Sequence, residues 1–594
     1  MNAAHRRSRA GLCLLLATHG GLLMWSAAMH SPTYDEPFHL AADVRRVVEG
    51  RFDLDLGNPP LPAMVAAVPV ALASAETDWR RFPETIPVGY DFVAANGRRI
   101  FWLVTLARWA CIPFSLLGGY VCFRWARELY GEASGWLALI LWCFCPNVLA
   151  HGALVTADMA AASLGLTACC AFWRWLELPT WASAGWAGLG LGLAELTKYV
   201  WLPLYFALPA VWMVWGWSSR RDIARPRWRR QAAQLAGVLL LSVYVINFGY
   251  FFEATPQPLR RFASGAHVLR KIGAQRDDSP LHWLGSVPVP LPSNYVRGVE
   301  LVDQWFDRTH RSYLHGQWSE RGWWYYYLVG LGLKVPLGTW LLLLLTLGLS
   351  LADRRYNAGL RTELLLPAFA VSLVLFVSVV TTDQSHVRFV LPALPFLFVW
   401  AGKTARALTL RSWRVAAAVG ACLTWTVFSS LSIYPHSLSY FDELAGGPKG
   451  GHDWLLDSNI DWGQDLLYLK RWLDAQPNAG TLHLAYFGFV DPRLAGIEFQ
   501  LPPSATELAT RGADRGTANR RVLKPGWYAI SVNLLHGYSI AISDGHGALT
   551  LASPSDYTYF QRFTPVAMAG YSIYIYHLDQ HDIDDLRGGP SSSP

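Results

Sequence analysis

Apolar residues along this chain gather into runs of about twenty, separated by short polar segments rich in arginine. A helix of that length matches the hydrocarbon thickness of a bilayer. The pattern predicts eleven spans, near 11–29, 100–123, 134–150, 153–176, 183–198, 200–217, 233–252, 326–350, 363–381, 388–402 and 413–433. The apolar segment 61–75 is too short and proline-broken to cross, so it is expected as a juxtamembrane helix in the interface. The first run follows His5, Arg6, Arg7 and Arg9. It is long for a signal peptide and no small-x-small cleavage site ends it, so an uncleaved helix is expected.

The loops supply an orientation. Arg124 and Arg127, then Arg220 to Arg230, then Arg354, Arg355 and Arg361, then Lys403, Arg406, Arg411 and Arg414 all fall on the side of the basic N-terminus. Short loops rich in Lys and Arg stay in the cytoplasm. The N-terminus is therefore expected inside, and an odd number of spans puts the tail outside. Two long outer loops are expected, about 30–99 with juxtamembrane helices and about 253–325. The tail, 434–594, is mixed in hydropathy. It contains predicted strands at 481–487, 527–532 and 571–576 and a predicted helix at 465–473. Its length of about 160 residues suffices for an α/β core. The Gly/Pro/Ser-rich end from Arg587 to Pro594 is expected to be disordered. The fold class is thus a polytopic α-helical membrane protein, 1–433, followed by an extracytoplasmic α/β domain, 434–594.

Composition agrees. Of 594 residues, 52% are hydrophobic and 16% charged, against about 25% charged in soluble domains. The 29 tryptophans suit membrane–water boundaries. The net charge of +7 is spread over short loops, which argues against a nucleic-acid partner. The eight cysteines, Cys13, Cys111, Cys122, Cys143, Cys145, Cys169, Cys170 and Cys422, lie in or beside apolar runs. A disulfide framework or a Cys-ligated zinc site is not expected.

The candidate chemistry collects on the outer side. Asp35 and Glu36 follow the first span side by side; such a pair suits a general base or a metal ligand, or is simply solvated. Asn58 precedes Pro59 and Pro60 in the same loop. His151 lies between spans three and four, Asp158 about two turns into span four, and Lys198 and Tyr199 at the end of span five. Asp383, His386 and Arg388 lie between spans nine and ten. Ionisable groups at membrane depth are functional candidates. A partnered structural carboxylate at Asp158 and an interfacial, snorkelling Arg388 or Lys198 are the alternatives. The run Asp457-x-Asn459-x-Asp461 is similar to the start of a calcium loop, but its Gly is one place late, at 463, and Tyr468 stands where Glu belongs. A helix N-terminal turn capped by these side chains is expected instead.

Tyr34-Asp35-Glu36, the Pro-Pro-Leu turn, Leu154-Val155-Thr156-Ala157-Asp158-Met159 and His386-Val387-Arg388-Phe389-Val390-Leu391-Pro392 resemble the bacterial relatives of protein O-mannosyltransferases. That family includes the aminoarabinose transferases that modify lipid A. The resemblance covers about 1–433, most specifically the first 160 residues. Tyr440 to Pro448 and Asp457 to Asp465 look like the tails of bacterial members. Asn58 departs from the pattern, since many relatives carry His before the two prolines, which puts a metal ligand there in doubt. The resemblance implies a C-type glycosyltransferase fold in the bacterial inner membrane. It also implies a polyprenyl-phosphate sugar donor and a protein, lipid or glycan acceptor.

The residues agree with that chemistry. A lipid-phosphate leaving group needs no nucleotide-binding domain, and the sequence carries no fingerprint for one, so no nucleotide cofactor is expected. Direct displacement at the anomeric carbon inverts it and needs a base for the acceptor. Asp35 is the expected base, with Glu36 as its partner or as the ligand of a divalent metal ion. The leaving phosphate needs a cation. Arg388 is the first candidate and Lys198 the second, with Tyr199, Asp158, Asn58, His386 and His151 as further substrate contacts. A transporter or flippase for lipid-linked sugars is the rival class. It would more naturally show inverted repeats and midplane-broken helices.

Overall fold

The structure, a computed structural model, describes residues 3–218, 225–262, 282–306, 311–381, 384–476, 480–509 and 521–588. Asp383 and the last residues of the expected disordered tail lie outside them. Among the described residues, eight helices are long and apolar enough to cross a membrane. A ninth crossing exists if Tyr326–Lys334 and Leu337–Ala352 are taken together, but they meet at 110°. The span expected as one piece at 326–350 is therefore broken, at Val335-Pro336, where proline cannot donate the next helical hydrogen bond.

The first nine α-helices carry the junction around Asp35, Glu36 and Asp158. They are α1 (Ala3–Met29), α2 (Glu36–Glu49), α3 (Pro60–Leu72), α4 (Thr85–Asn96), α5 (Ile100–Tyr130), α6 (Glu132–Cys143), α7 (Pro146–His151), α8 (Asp158–Glu177) and α9 (Trp181–Glu195). The short apolar α3 covers most of the segment 61–75, where a juxtamembrane helix was expected. The span expected at 134–150 divides into α6 and α7, because Pro146 starts a new helix in the first turn, where its missing N–H costs nothing. All eight cysteines are free thiols.

The two ends of the bundle differ. Ser8 of α1 donates to Glu132, which Arg127 also meets at 2.6 Å, and Arg406 bonds Asn357 O. The turn carrying Arg127 and, through Gly402 packed on Ser134, the turn carrying Lys403 and Arg406 thus share an end with the start of α1. At the other end, Arg471 of the tail donates to Met29 O at 3.0 Å. Here the tail forms a five-stranded mixed sheet in the order 567–569, 573–578, 526–531, 482–485, 499–500. The strands 482–485 and 526–531 run parallel, and the expected strands and helix are present. Their carboxyl ends face the membrane helices. Beyond 482–485, Phe489 stacks on Tyr90 of α4 at 4.0 Å. One continuous buried apolar cluster runs from α5, α6 and α8 through Phe441 and Trp462 into the sheet.

Small residues let the helices close up. A Cβ on Gly165 of α8 would lie 1.8 Å from the Trp201 ring. That indole is held by its own bond to Ala161 O at 3.1 Å, so it cannot swing aside cheaply. Gly165→Ala should lower stability by about 1–3 kcal/mol through overpacking, read as a lower melting temperature of the detergent-purified protein; an unchanged melting temperature would mean that Trp201 relaxes.

Candidate active site

The junction of α1 and α2 is held by Arg108, an ion about two turns into α5. Its guanidinium donates to Glu36 Oε1 at 2.9 Å and Oε2 at 2.6 Å. It also donates to Ala27 O, His30 O and Ser31 O at 2.8–2.9 Å. Glu36 accepts the Thr33 and Val155 backbone amides as well, at 2.8 and 3.0 Å. Burial alone would raise the Glu36 pKa; Arg108 and the two amides override it and hold the carboxyl below its usual range. Two bonds to each oxygen fill the acceptor positions of a carboxylate. Glu36 therefore has no lone pair left for a metal ion or a substrate, unlike the role expected for it. It ties α2 to α5 and to the turn before α8, and so places its neighbour Asp35.

Asp35 turns the other way. Its Oδ2 lies 3.0 Å from Arg388 Nη2, Arg388 Nη1 lies 3.7 Å from Asp158 Oδ2, and Asp158 Oδ1 receives Lys198 Nζ at 2.5 Å. Four residues, 353 positions apart at the extreme, form one alternating chain of charge. Asp158 is the first residue of α8 rather than two turns inside it, because 152–157 is not helical. A helix N-terminus favours a carboxylate there. The Arg388 guanidinium lies over the Trp462 ring at 3.9 Å, and Lys198 Nζ over Phe389 at 4.5 Å. Arg388 Nε is buried with no hydrogen-bond partner among the described residues, as is His151 Nδ1. Burial keeps His151 neutral, with its pKa pulled down to about 3.

Lys198 also opens onto a cavity of about 760 Å³. Lys198 and Asp303 are the charged groups on its wall, which is otherwise mostly apolar and includes Tyr199, Phe206, Ile246 and Phe376. Tyr199 donates to Leu56 O at 3.2 Å and presents its ring to the cavity.

Two expected residues lie apart. His386 Nδ1 is 2.8 Å from Ser458 Oγ and faces the tail. Asn58 lines a small separate pocket with His39, Asp43, Arg46 and Asp55. That pocket is a buried charge network. His39 Nδ1 is 2.7 Å from Asp55 Oδ2. Burial works against the imidazolium, yet Asp55 raises the His39 pKa from 6.5 to about 9. A folded-state pKa above the unfolded one stabilises fully below the unfolded value and is lost as pH rises through the folded value. The melting temperature should therefore fall between about pH 6.5 and about pH 9, and His39→Gln should flatten that part of the profile; an identical slope in the variant would assign the dependence to other groups.

The sequence reading missed the contribution of the tail. Asn459 accepts the Val387 amide at 3.0 Å and donates to Ser385 O and Tyr326 Oη. Lys334, at the break between the two bent helices, donates to Leu438 O and Asn459 O at 2.8 and 2.5 Å. Trp462 forms the floor under Arg388. The 457–461 side chains do not cap the following helix, as expected of them. Asp457 takes a left-handed backbone (φ 59°) and receives Tyr538 Oη, while Asp461 turns back to the Gly463 amide. The density of Asp, Asn, Gln and Trp in 457–465 was the sequence signal.

Residues 87–250 match the family model described as dolichyl-phosphate-mannose-protein mannosyltransferase, which bears out the resemblance read from the sequence. No curated protein matches the chain. Among solved structures, the crystal structure of ArnT from Cupriavidus metallidurans bound to undecaprenyl phosphate aligns at 14% identity, over 95% of this chain and 97% of that one, with a TM-score of 0.46. The same protein in the apo state aligns at 15% identity, over 96% and 98%, with a TM-score of 0.44.

Proposed function

We propose that this chain, a multi-pass membrane glycosyltransferase drawing on a polyprenyl-phosphate sugar donor, moves the sugar in one inverting displacement with Asp35 as general base. The observation that carries the reading is the charge chain Asp35–Arg388–Asp158–Lys198, whose Lys198 end lines the 760 Å³ apolar cavity. A polyprenyl tail suits the cavity, and its phosphate would lie against Lys198 and Arg388. Arg388 Nε, buried without a partner among the described residues, is a donor awaiting an acceptor. A phosphate that takes the Arg388 fork competes with Asp35 for it. The Asp35 carboxylate is then released toward the acceptor.

In the displacement, the acceptor oxygen or nitrogen attacks the anomeric carbon while the bond from that carbon to the phosphate oxygen breaks. The acceptor proton passes to Asp35, and the charge gained by the phosphate is met by Arg388 and Lys198. Asp158 holds the two cations apart at fixed positions, and Glu36 acts as a positioning residue for Asp35. No step runs through a metal on Glu36, whose acceptor positions are filled. The site and the tail share the end of the bundle opposite the arginine-rich turns. That favours a site on the outer face of the bacterial inner membrane, with the tail in the periplasm or extracellular.

Asp35→Asn keeps the shape and removes the proton acceptor. Transfer of labelled sugar from a polyprenyl-phosphate donor should fall about a hundredfold or more. Near-full activity in that variant would sink the assignment of the base, and lipid-donor flipping without transfer by the wild type would sink the reading as a whole.

Arg388→Lys keeps the charge and loses the planar fork that binds two phosphate oxygens. The donor KM should rise, or kcat fall, with the acceptor KM nearly unchanged. Unchanged donor kinetics would leave Lys198 as the phosphate ligand.

A further inference from the structure

A second cluster of chemically capable side chains lies outside the charge chain, where the tail meets α1. His30, just past the end of α1, His436, in the segment after the last apolar helix, and Asp465, at the head of the helix Leu466–Asp474, bring one ligand atom each to within 4.8 Å of one another. His30 Nε2 is 3.8 Å and His436 Nδ1 is 3.2 Å from the same oxygen, Asp465 Oδ1.

The partners of these groups fix which atoms are free. His30 Nδ1 lies 2.9 Å from Ser26 O, and a carbonyl only accepts, so Nδ1 carries the proton. In the neutral ring Nε2 is then a lone pair, 3.8 Å from a carboxylate oxygen. His30 then offers Oδ1 no proton, and a cation placed between the two would be held by both. Asp465 is fully buried, and its other oxygen, Oδ2, is occupied by Ser572 Oγ at 2.8 Å and Gln464 Nε2 at 3.2 Å. These contacts leave Oδ1 turned to the two histidines. A backbone carbonyl behind the histidine and hydrogen bonds behind the carboxylate are the outer partners that orient metal ligands. His436 also lines a cavity of about 480 Å³ with Tyr468 and Tyr571, which gives an ion a way in and leaves room for a water ligand.

We propose that His30, His436 and Asp465 bind a divalent transition-metal ion of the zinc class, separate from the site of sugar transfer. Two imidazoles and one carboxylate suit zinc and not calcium or magnesium, which take oxygen ligands. Before binding, the His436 Nδ1–H donates to Asp465. On binding, that proton moves to Nε2 and Nδ1 turns its lone pair to the ion, so no net proton leaves the protein. The ion ties three segments that are far apart in sequence. His30 is five positions before Asp35 and Asp465 three positions after Trp462, so the ion fixes the tail against the transfer site.

The test uses the full-length chain purified through a tag without histidines, stripped with chelator and titrated with cobalt(II), then with zinc(II) against a chromophoric chelator. The wild type should bind about one ion per chain and give the intense visible bands of four-coordinate cobalt. His30→Gln and His436→Gln should each weaken binding at least tenfold, and His436→Cys should restore it with a thiolate-to-cobalt charge-transfer band. Each variant is first checked for a single folded species by gel filtration. No stoichiometric ion in the wild type, or equal affinity in wild type and both glutamine variants, would overturn the proposal. So would a His436→Cys protein that binds cobalt without the charge-transfer band.

Discussion

The buried pair of Arg108 and Glu36 is the interaction on which the rest of the site depends. Both side chains are at most 1% exposed. Stranding either would cost about 3–5 kcal/mol, and the geometry shows why the pair is kept. Through it, one guanidinium and one carboxylate close seven hydrogen bonds to α1, α2 and the turn before α8. Without them the end of α1 has no fixed direction, and Asp35 no fixed distance to Arg388. The acidic pair in the sequence therefore divides its work. Glu36 looks into the bundle and is consumed by structure, while Asp35 looks along the interface and remains available for chemistry.

The charge chain follows the same logic of partial satisfaction. Asp158 meets two cations, and Arg388 meets two carboxylates and an indole face, yet Arg388 keeps a buried N–H without a partner among the described residues. A buried donor left open costs free energy in the resting protein. Were a phosphate to take that donor, as proposed, the cost would be returned on binding.

The helices and most of their limits were legible in the sequence because hydrophobic length is a strong, local property. Three strands of the tail sheet and the helix after Asp465 were legible too, whereas the short edge strands 499–500 and 567–569 were not. Asp35, Asp158, Lys198 and Arg388 stood out because charge at membrane depth is rare. What could not be read was who pairs with whom. Arg108 sits in an apolar run and gives no local hint that it meets Glu36, 72 positions away. Nor does the composition of 457–465 tell a helix cap from a segment laid against the membrane helices. Breaks at Pro146 and Pro336 were softened by the apolar residues around them. Asn58 and His386 shared a side with the charge chain, but a shared side does not fix a shared pocket.

The segment around Trp462 is made late. Gly463 accepts the hydroxyl of Ser31 across 432 positions, and the indole under Arg388 is its neighbour. During synthesis, Asp35 and then Arg388 enter the membrane before the residues that seat them exist. A nascent chain can therefore hold every span and still have no floor beneath Arg388. The site is completed by a segment translated after the last apolar helix, so a product that stops before Trp462 carries the ionisable groups without their arrangement.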